Sequence, residues 1–221
     1  MAESSVSDTG TDNKIIVVEN GNERELAHGE KVPGFAITLG GKNNLVKFFF
    51  PTNAKNCSIE CLADDCKIEI RSPLHINELR ILMSDGEKQT LTIDEGLSSG
   101  PMFIRMSEEC RCEIGKDCMI NSATLRPSEG HAIIEAASGE IISNPRNPLR
   151  IGEHCWIGQA AIFTKNASIP DGTIVGAGAV VTKSFSEKHT AIAGNPASVI
   201  RRGVIWKRES GWVLRRAAKI K

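Results

Sequence analysis

The sequence predicts an all-β protein, built as a parallel β-helix with one inserted loop and a short C-terminal extension. Two observations carry this. Large apolar residues recur every six positions from 151 onward: Ile151, Ile157, Phe163, Ile169, Val175 and Val181. Four places after each of the first five stands a small residue: Cys155, Ala161, Ala167, Thr173 and Ala179. Upstream, short β-like runs bounded by Gly, Asn, Asp or Ser recur, and nothing there sustains a helical period.

A period of six has a physical cause. A triangular prism of short parallel strands turns a corner every six residues and points the large residue inward. Three hexads, roughly 18 residues, close one coil, and coils stack at the strand spacing of about 4.8 Å. Each coil buries its interior against its neighbours. The residue after each large one is Gly152, Gly158, Thr164, Pro170, Gly176 or Thr182, so glycine is common at the bend.

In chain order, residues 1–14 are polar and read as a disordered tail without a basic–apolar signal segment. Residues 15–200 are assigned to the β-helix. Its early part holds the runs Ile15–Val18 and Val46–Phe50, then CSIECL, CKIEIR, NELRILM, TLTID, MFIRM and CRCEIG. An isolated hexad, Ile114–Met119, is out of phase with the later run, which places an insertion between them. Residues 201–221 form a basic extension with eight Lys or Arg, one Glu, Trp206 and Trp212. Three readings stand for it: a hold on an anionic polysaccharide, a membrane-surface contact, or a solvated tail, the last being the default.

Composition narrows the function classes. With 27 basic and 27 acidic residues the net charge is zero, which gives no electrostatic footprint for nucleic acid. No apolar run approaches the length of a transmembrane span, and a cytoplasmic location is the default. Aromatics are 5% with no Tyr, which disfavours an aromatic-rich binding module. The seven cysteines, Cys57, Cys61, Cys66, Cys110, Cys112, Cys118 and Cys155, are odd in number and lack zinc-ribbon spacing. They read as small interior residues, and no metal is expected.

The motifs around the repeat resemble those of the hexapeptide-repeat acyltransferases. IGEHCWIGQAAIF (151–163) is similar to the family's IGxxxWIGxxAxI segment, TIVGAGAVVTK (173–183) to its closing coil, and AGNPASVIR (193–201) to its AGNPAxxIR exit. The resemblance covers residues 110–206. The loop RPSEGHAIIEAASGEIISNPRNPLR (126–150) looks most like that of O-acetyltransferases of bacterial capsular and surface polysaccharides, including those acting on polysialic acid. Two positions depart from the pattern: Glu129 stands where Asp is usual, and Ser143 rather than Asn follows Glu140 by three, with Asn144 next.

The resemblance implies a left-handed β-helix, a homotrimer with sites between chains, and acetyl-CoA as donor. A sugar hydroxyl needs a base as it attacks a thioester, and an imidazole with an ordinary pKa of about 6.5 suits that task. His131, in the inserted loop, is the candidate. Glu129 is placed to orient it, with Glu140 as another orienting candidate and a solvated loop carboxylate as the bland alternative. His154 reads as outward and solvated; His28, His75 and His189 have no motif support. Trp156 is implied to line the acceptor and thioester site, against the reading of a surface or packing Trp. Gly158, Ala160, Thr164, Gly176 and Ala177 are candidates for the pantetheine groove, although several are also ordinary repeat residues. Lys183 and Arg201 are candidates for the nucleotide phosphates, or else exposed cations.

The function this implies is O-acetylation of a carbohydrate hydroxyl, on a polysaccharide that includes the sialic-acid-containing class. A small sugar, nucleotide sugar or amine is an alternative acceptor. A non-catalytic structural or carbohydrate-binding β-helix is the alternative of another class.

Overall fold

The computed structural model describes residues 4–142 and 147–218. Successive strands are dealt in turn to three sheets, so that along most of the chain every third strand joins the same sheet. Within each sheet, coil stacks on coil through parallel ladders, which makes the expected left-handed parallel β-helix. The first sheet runs from Ser5–Asp8 to Val180–Val181, the second from Lys14–Glu19 to Ser168–Ile169, and the third from Ala54–Lys55 to Thr190–Ala193. Among the described residues, the antiparallel partners added to these sheets are Asn22–Glu25 and Ser198–Arg202, one at each end of the prism.

The hexad residues Ile151, Ile157, Phe163, Ile169, Val175 and Val181 all point into the prism and are fully or almost fully buried. The small residues Cys155, Ala161, Ala167, Thr173 and Ala179 are buried as well. In Ala161–Phe163, for example, Ala161 and Phe163 point in and Ile162 points out. The small residue therefore sits inside, two places before the large one, rather than merely near a bend. Two large side chains per strand would overfill the narrow interior.

Coil length explains the uneven pattern. Near the C-terminal end, Ile162 pairs with Val180, three hexads further along the chain. Earlier, Phe35 pairs with Cys57 and Leu79 with Met102, and both steps are longer than three hexads. These longer coils use five-residue strands such as Cys57–Cys61, with inward residues at every second position. Period-two alternation thus replaces the period of six, while the ladder register and the core remain continuous. All seven cysteines are buried free thiols in that core. Burial raises the Cys110 thiol to about 11 and also raises Cys112, which keeps both protonated and unreactive.

Two expectations need correction. Residues 5–8 are not a disordered tail: Ser5–Asp8 pairs in parallel with Phe35–Leu39. The polar residues that made this segment look loose build its turn. Asn13 Nδ2 donates to Asp8 Oδ1 and to the Gly41 carbonyl, each at 2.9 Å. The start of the C-terminal extension is likewise no solvated tail. Ser198–Arg202 pairs with the prism, Trp206 is buried, and the helix Gly211–Ala218 follows.

Candidate active site

The inserted loop leaves the corner between the first and second sheets, after Ala123–Leu125, and returns at Leu149–Ile151. Its base is anchored by Ser128, whose Oγ accepts the Ser107 N–H at 2.8 Å. Beyond the base the chain rises as a small hairpin. Ile134 bridges Ile141, the Ile142 N–H donates to the Ile133 carbonyl at 2.8 Å, and the Glu135 N–H donates to the Glu140 carbonyl at 2.9 Å. His131 lies exposed at the foot of this hairpin. Glu129 does not meet it. Its Oε1 takes Lys165 Nζ at 2.8 Å, and its Oε2 is buried without a partner among the described residues. Glu140 is exposed in the hairpin. Ser143 and Asn144 lie outside the described residues.

Trp156 stands on another face. It is the outward residue of Trp156–Ile157 in the third sheet, in register between Met119 and Ile174. The C-terminal segment crosses in front of it. Trp206 stacks on His154, with ring centroids 4.4 Å apart and planes 13° apart, and its Nε1 donates to the His154 carbonyl at 2.7 Å. Trp156 and Trp206 approach to 6.3 Å. Together with Met119, Ile174, Ile205 and Leu214 they line a mainly apolar cavity of about 560 Å³.

This wall is held by charge. His154 Nδ1 lies 2.7 Å from Asp117 Oδ2, and Arg208 reaches Asp117 Oδ1 at 2.7 Å through one nitrogen and 3.1 Å through another. Burial alone would push the Asp117 carboxyl up. Hydrogen bonds from Arg208 and His154 outweigh that and hold it below its ordinary range. His154 is therefore not a free, outward imidazole. Its Nε2 is 3.3 Å from the Trp206 carbonyl, so both ring nitrogens have partners within the chain. No sequence motif marks this clamp, because Asp117, His154 and Arg208 come from separate coils and the exit segment.

The remaining candidates divide between two corners. Gly158, Ala160, Gly176 and Ala177 share the corner between the third and first sheets, on successive coils. Thr164 and Lys183 lie with Glu129 and the loop base at the corner between the first and second sheets. Arg201 is exposed on the antiparallel strand edging the third sheet. One chain thus gathers Trp156 with the stripped glycine–alanine corner, and separately gathers His131 with the other corner.

No family model matches the chain. Among curated proteins it is 31% identical over 129 residues to a polysialic acid O-acetyltransferase of Escherichia coli O1:K1, a match spanning 58% of this chain and 41% of that protein. It is 27% identical over 198 residues to a polysialic acid O-acetyltransferase of Neisseria meningitidis, spanning 89% of this chain and 80% of that one. The crystal structure of the polySia-specific acetyltransferase NeuO superposes with a TM-score of 0.58 at 21% identity, covering 98% of each chain. The chain is similar to the polysialic acid O-acetyltransferases. Its resemblance to hexapeptide-repeat acetyltransferases thus holds in sequence, and the similarity to NeuO shows that the fold is shared. Among the described residues, no helix is long and apolar enough to cross a membrane.

Proposed function

We propose that this chain is an acetyl-CoA-dependent O-acetyltransferase of a bacterial capsular or surface polysaccharide, working in the cytoplasm as a homotrimer with its sites between chains. The observation that carries this is the division of the candidate site: His131 lies exposed at the foot of the hairpin, at the corner between the first and second sheets, while Trp156 faces outward on the third sheet. The hairpin also exposes Ile133, Ile134, Ile141 and Ile142. Four large apolar side chains on a protruding loop suit burial against a neighbouring copy. Docked there, the loop of one chain presents His131 toward the third-sheet face of the next.

In the reaction, His131 removes the proton of the acceptor hydroxyl as its oxygen attacks the thioester carbonyl. The carbon–sulfur bond then breaks, and the coenzyme A thiolate leaves with the proton returned by the imidazolium. Trp156 supplies a flat apolar wall, and an N–H donor there stabilises the oxyanion. At the corner of Gly158, Ala160, Gly176 and Ala177, the exposed Ala160 and Ala177 and the half-buried Gly176 offer a surface of small residues to a pantetheine arm, Gly158 lying buried beneath the next coil, with Lys183 and Arg201 available for the phosphates.

The test has two steps. Acetyl-CoA at 100 times its dissociation constant should stabilise the native protein by about 2.7 kcal/mol in thermal unfolding. His131→Ala should lower acetyl transfer to a sialic-acid polymer by roughly 10²–10⁴-fold while the oligomer survives. Near-normal transfer by that variant removes His131 from the mechanism. No shift with millimolar acetyl-CoA removes the donor, and favours a binding module.

A further inference from the structure

We infer that Arg105 and Arg126 form a carboxylate-binding subsite at the foot of the catalytic loop, and that its ligand is the carboxylate of an acidic sugar in the acceptor. This rests on the proposed polysaccharide acceptor and deepens it. Both arginines lie on the outer face of the first sheet. Ile104 pairs with Leu125, so the residues that follow them, Arg105 and Arg126, stand side by side on adjacent coils. Arg126 is still held in the sheet, its N–H donating to the Phe163 carbonyl at 2.8 Å. Along this row the flanking residues are Leu82 on one side and Thr164 on the other, and neither carries a charge.

Elsewhere on the prism, face arginines meet carboxylates. Arg71 pairs with Glu69 at 2.7 Å, Arg80 with Glu60 at 3.3 Å, and Arg150 with Glu113 at 3.9 Å. Arg105 and Arg126 have no ion pair or hydrogen bond from their side chains among the described residues. The Nε atom of each is buried from solvent and unpartnered. The corner carboxylates do not pair with them: Glu129 takes Lys165 through Oε1, and the Oε2 atoms of Glu129 and Glu108 are both buried without a partner among the described residues. Two adjacent guanidinium groups, part-desolvated and with no carboxylate at ion-pair distance among the described residues, are unfavourable as they stand. A planar carboxylate bridging the pair satisfies both, because the guanidinium fork matches it in charge and geometry.

The location fits an acceptor. Arg126 is five residues before His131 and begins the loop that carries it. Phe103, on the neighbouring outward row of the same sheet and in register with Arg80 and Thr124, carries the Arg80 guanidinium over its ring at 5.5 Å, which adds a further cation beside the pair. A carboxylate on a neighbouring copy of this chain is the other source of the same chemistry, and the experiment separates the two.

Arg105→Gln, Arg126→Gln and the double variant are compared with wild type, using a sialic-acid polymer and the same polymer with its carboxylates reduced to alcohols. Acetyl transfer, direct polymer binding and the mass of the oligomer are measured. Each single change should raise KM for the intact polymer about tenfold, the double change more, with the oligomer intact. Wild type should treat the reduced polymer as weakly as the double variant treats the intact one. Unchanged KM in the variants, or an equal loss on both polymers, overturns the subsite. Dissociation into single chains assigns the pair to a neighbour's carboxylate and also overturns it. Intact polymer that binds wild type without being acetylated counts against the transferase, and still supports the subsite if the variants lose that binding.

Discussion

At the scale of single residues, inward and outward positions were legible because the prism imposes a strict choice. Phe163 is the largest inward-pointing side chain of the regular coils and is completely buried. Phe163→Ala should cost about 3–5 kcal/mol in denaturant unfolding, because a rigid interior cannot collapse around the void. Gly158 illustrates a residue with two possible meanings. A Cβ there would come within 2.6 Å of the Ala177 backbone nitrogen on the next coil, so stacking alone requires glycine. Gly158→Ala should therefore lower the free energy of unfolding by about 1–3 kcal/mol, whether or not acetyl-CoA is present. Equal stability of the variant would show that the coils have room there. What the sequence could not reveal was partnership. Glu129 looked placed for His131, yet it binds Lys165, one coil further along. His154 looked solvated, yet its partners, Asp117 and Trp206, are far from it in the chain.

At the scale of elements, the C-terminal segment is the one most changed by seeing it folded. Its basic composition suggested a tail, but Trp206 and Arg208 fasten it across the third sheet, where it walls the Trp156 cavity. This clamp depends on pH in a definite direction. The Asp117 carboxyl is held below its ordinary value, so its contribution is present in full above that ordinary value, about 4, and is lost as pH falls through the lowered one. Tryptophan emission of wild type should shift to the red on acidification below about pH 4, as Trp206 leaves its site. Asp117→Asn should already be shifted at neutral pH and should change little on acidification. Identical emission from the two proteins would show that the carboxylate does not hold the segment. The hairpin of the inserted loop was not legible as a hairpin, because its isoleucine stem is too short to carry a period.

At the scale of the whole molecule, the architecture was written most clearly where the coils are shortest. With three hexads from Ile162 to its partner Val180, every corner falls at the same step and the period of six stands out. In the longer coils, as from Phe35 to Cys57 or from Leu79 to Met102, the same winding continues but its corners drift against any fixed period. The early half was therefore recognisable only as short strands. The proposed site is a different matter, because its candidate parts lie on two faces of the prism, and in the proposed function only association of chains completes it. That is the central claim, and coexpression of His131→Ala with Trp156→Ala tests it most directly. If each site takes His131 from one chain and Trp156 from the next, oligomers of mixed composition should recover roughly a quarter of wild-type activity, although each variant alone is nearly inactive. Mixed oligomers no more active than the single variants would contradict it, and would place His131 and Trp156 of one chain in the same site.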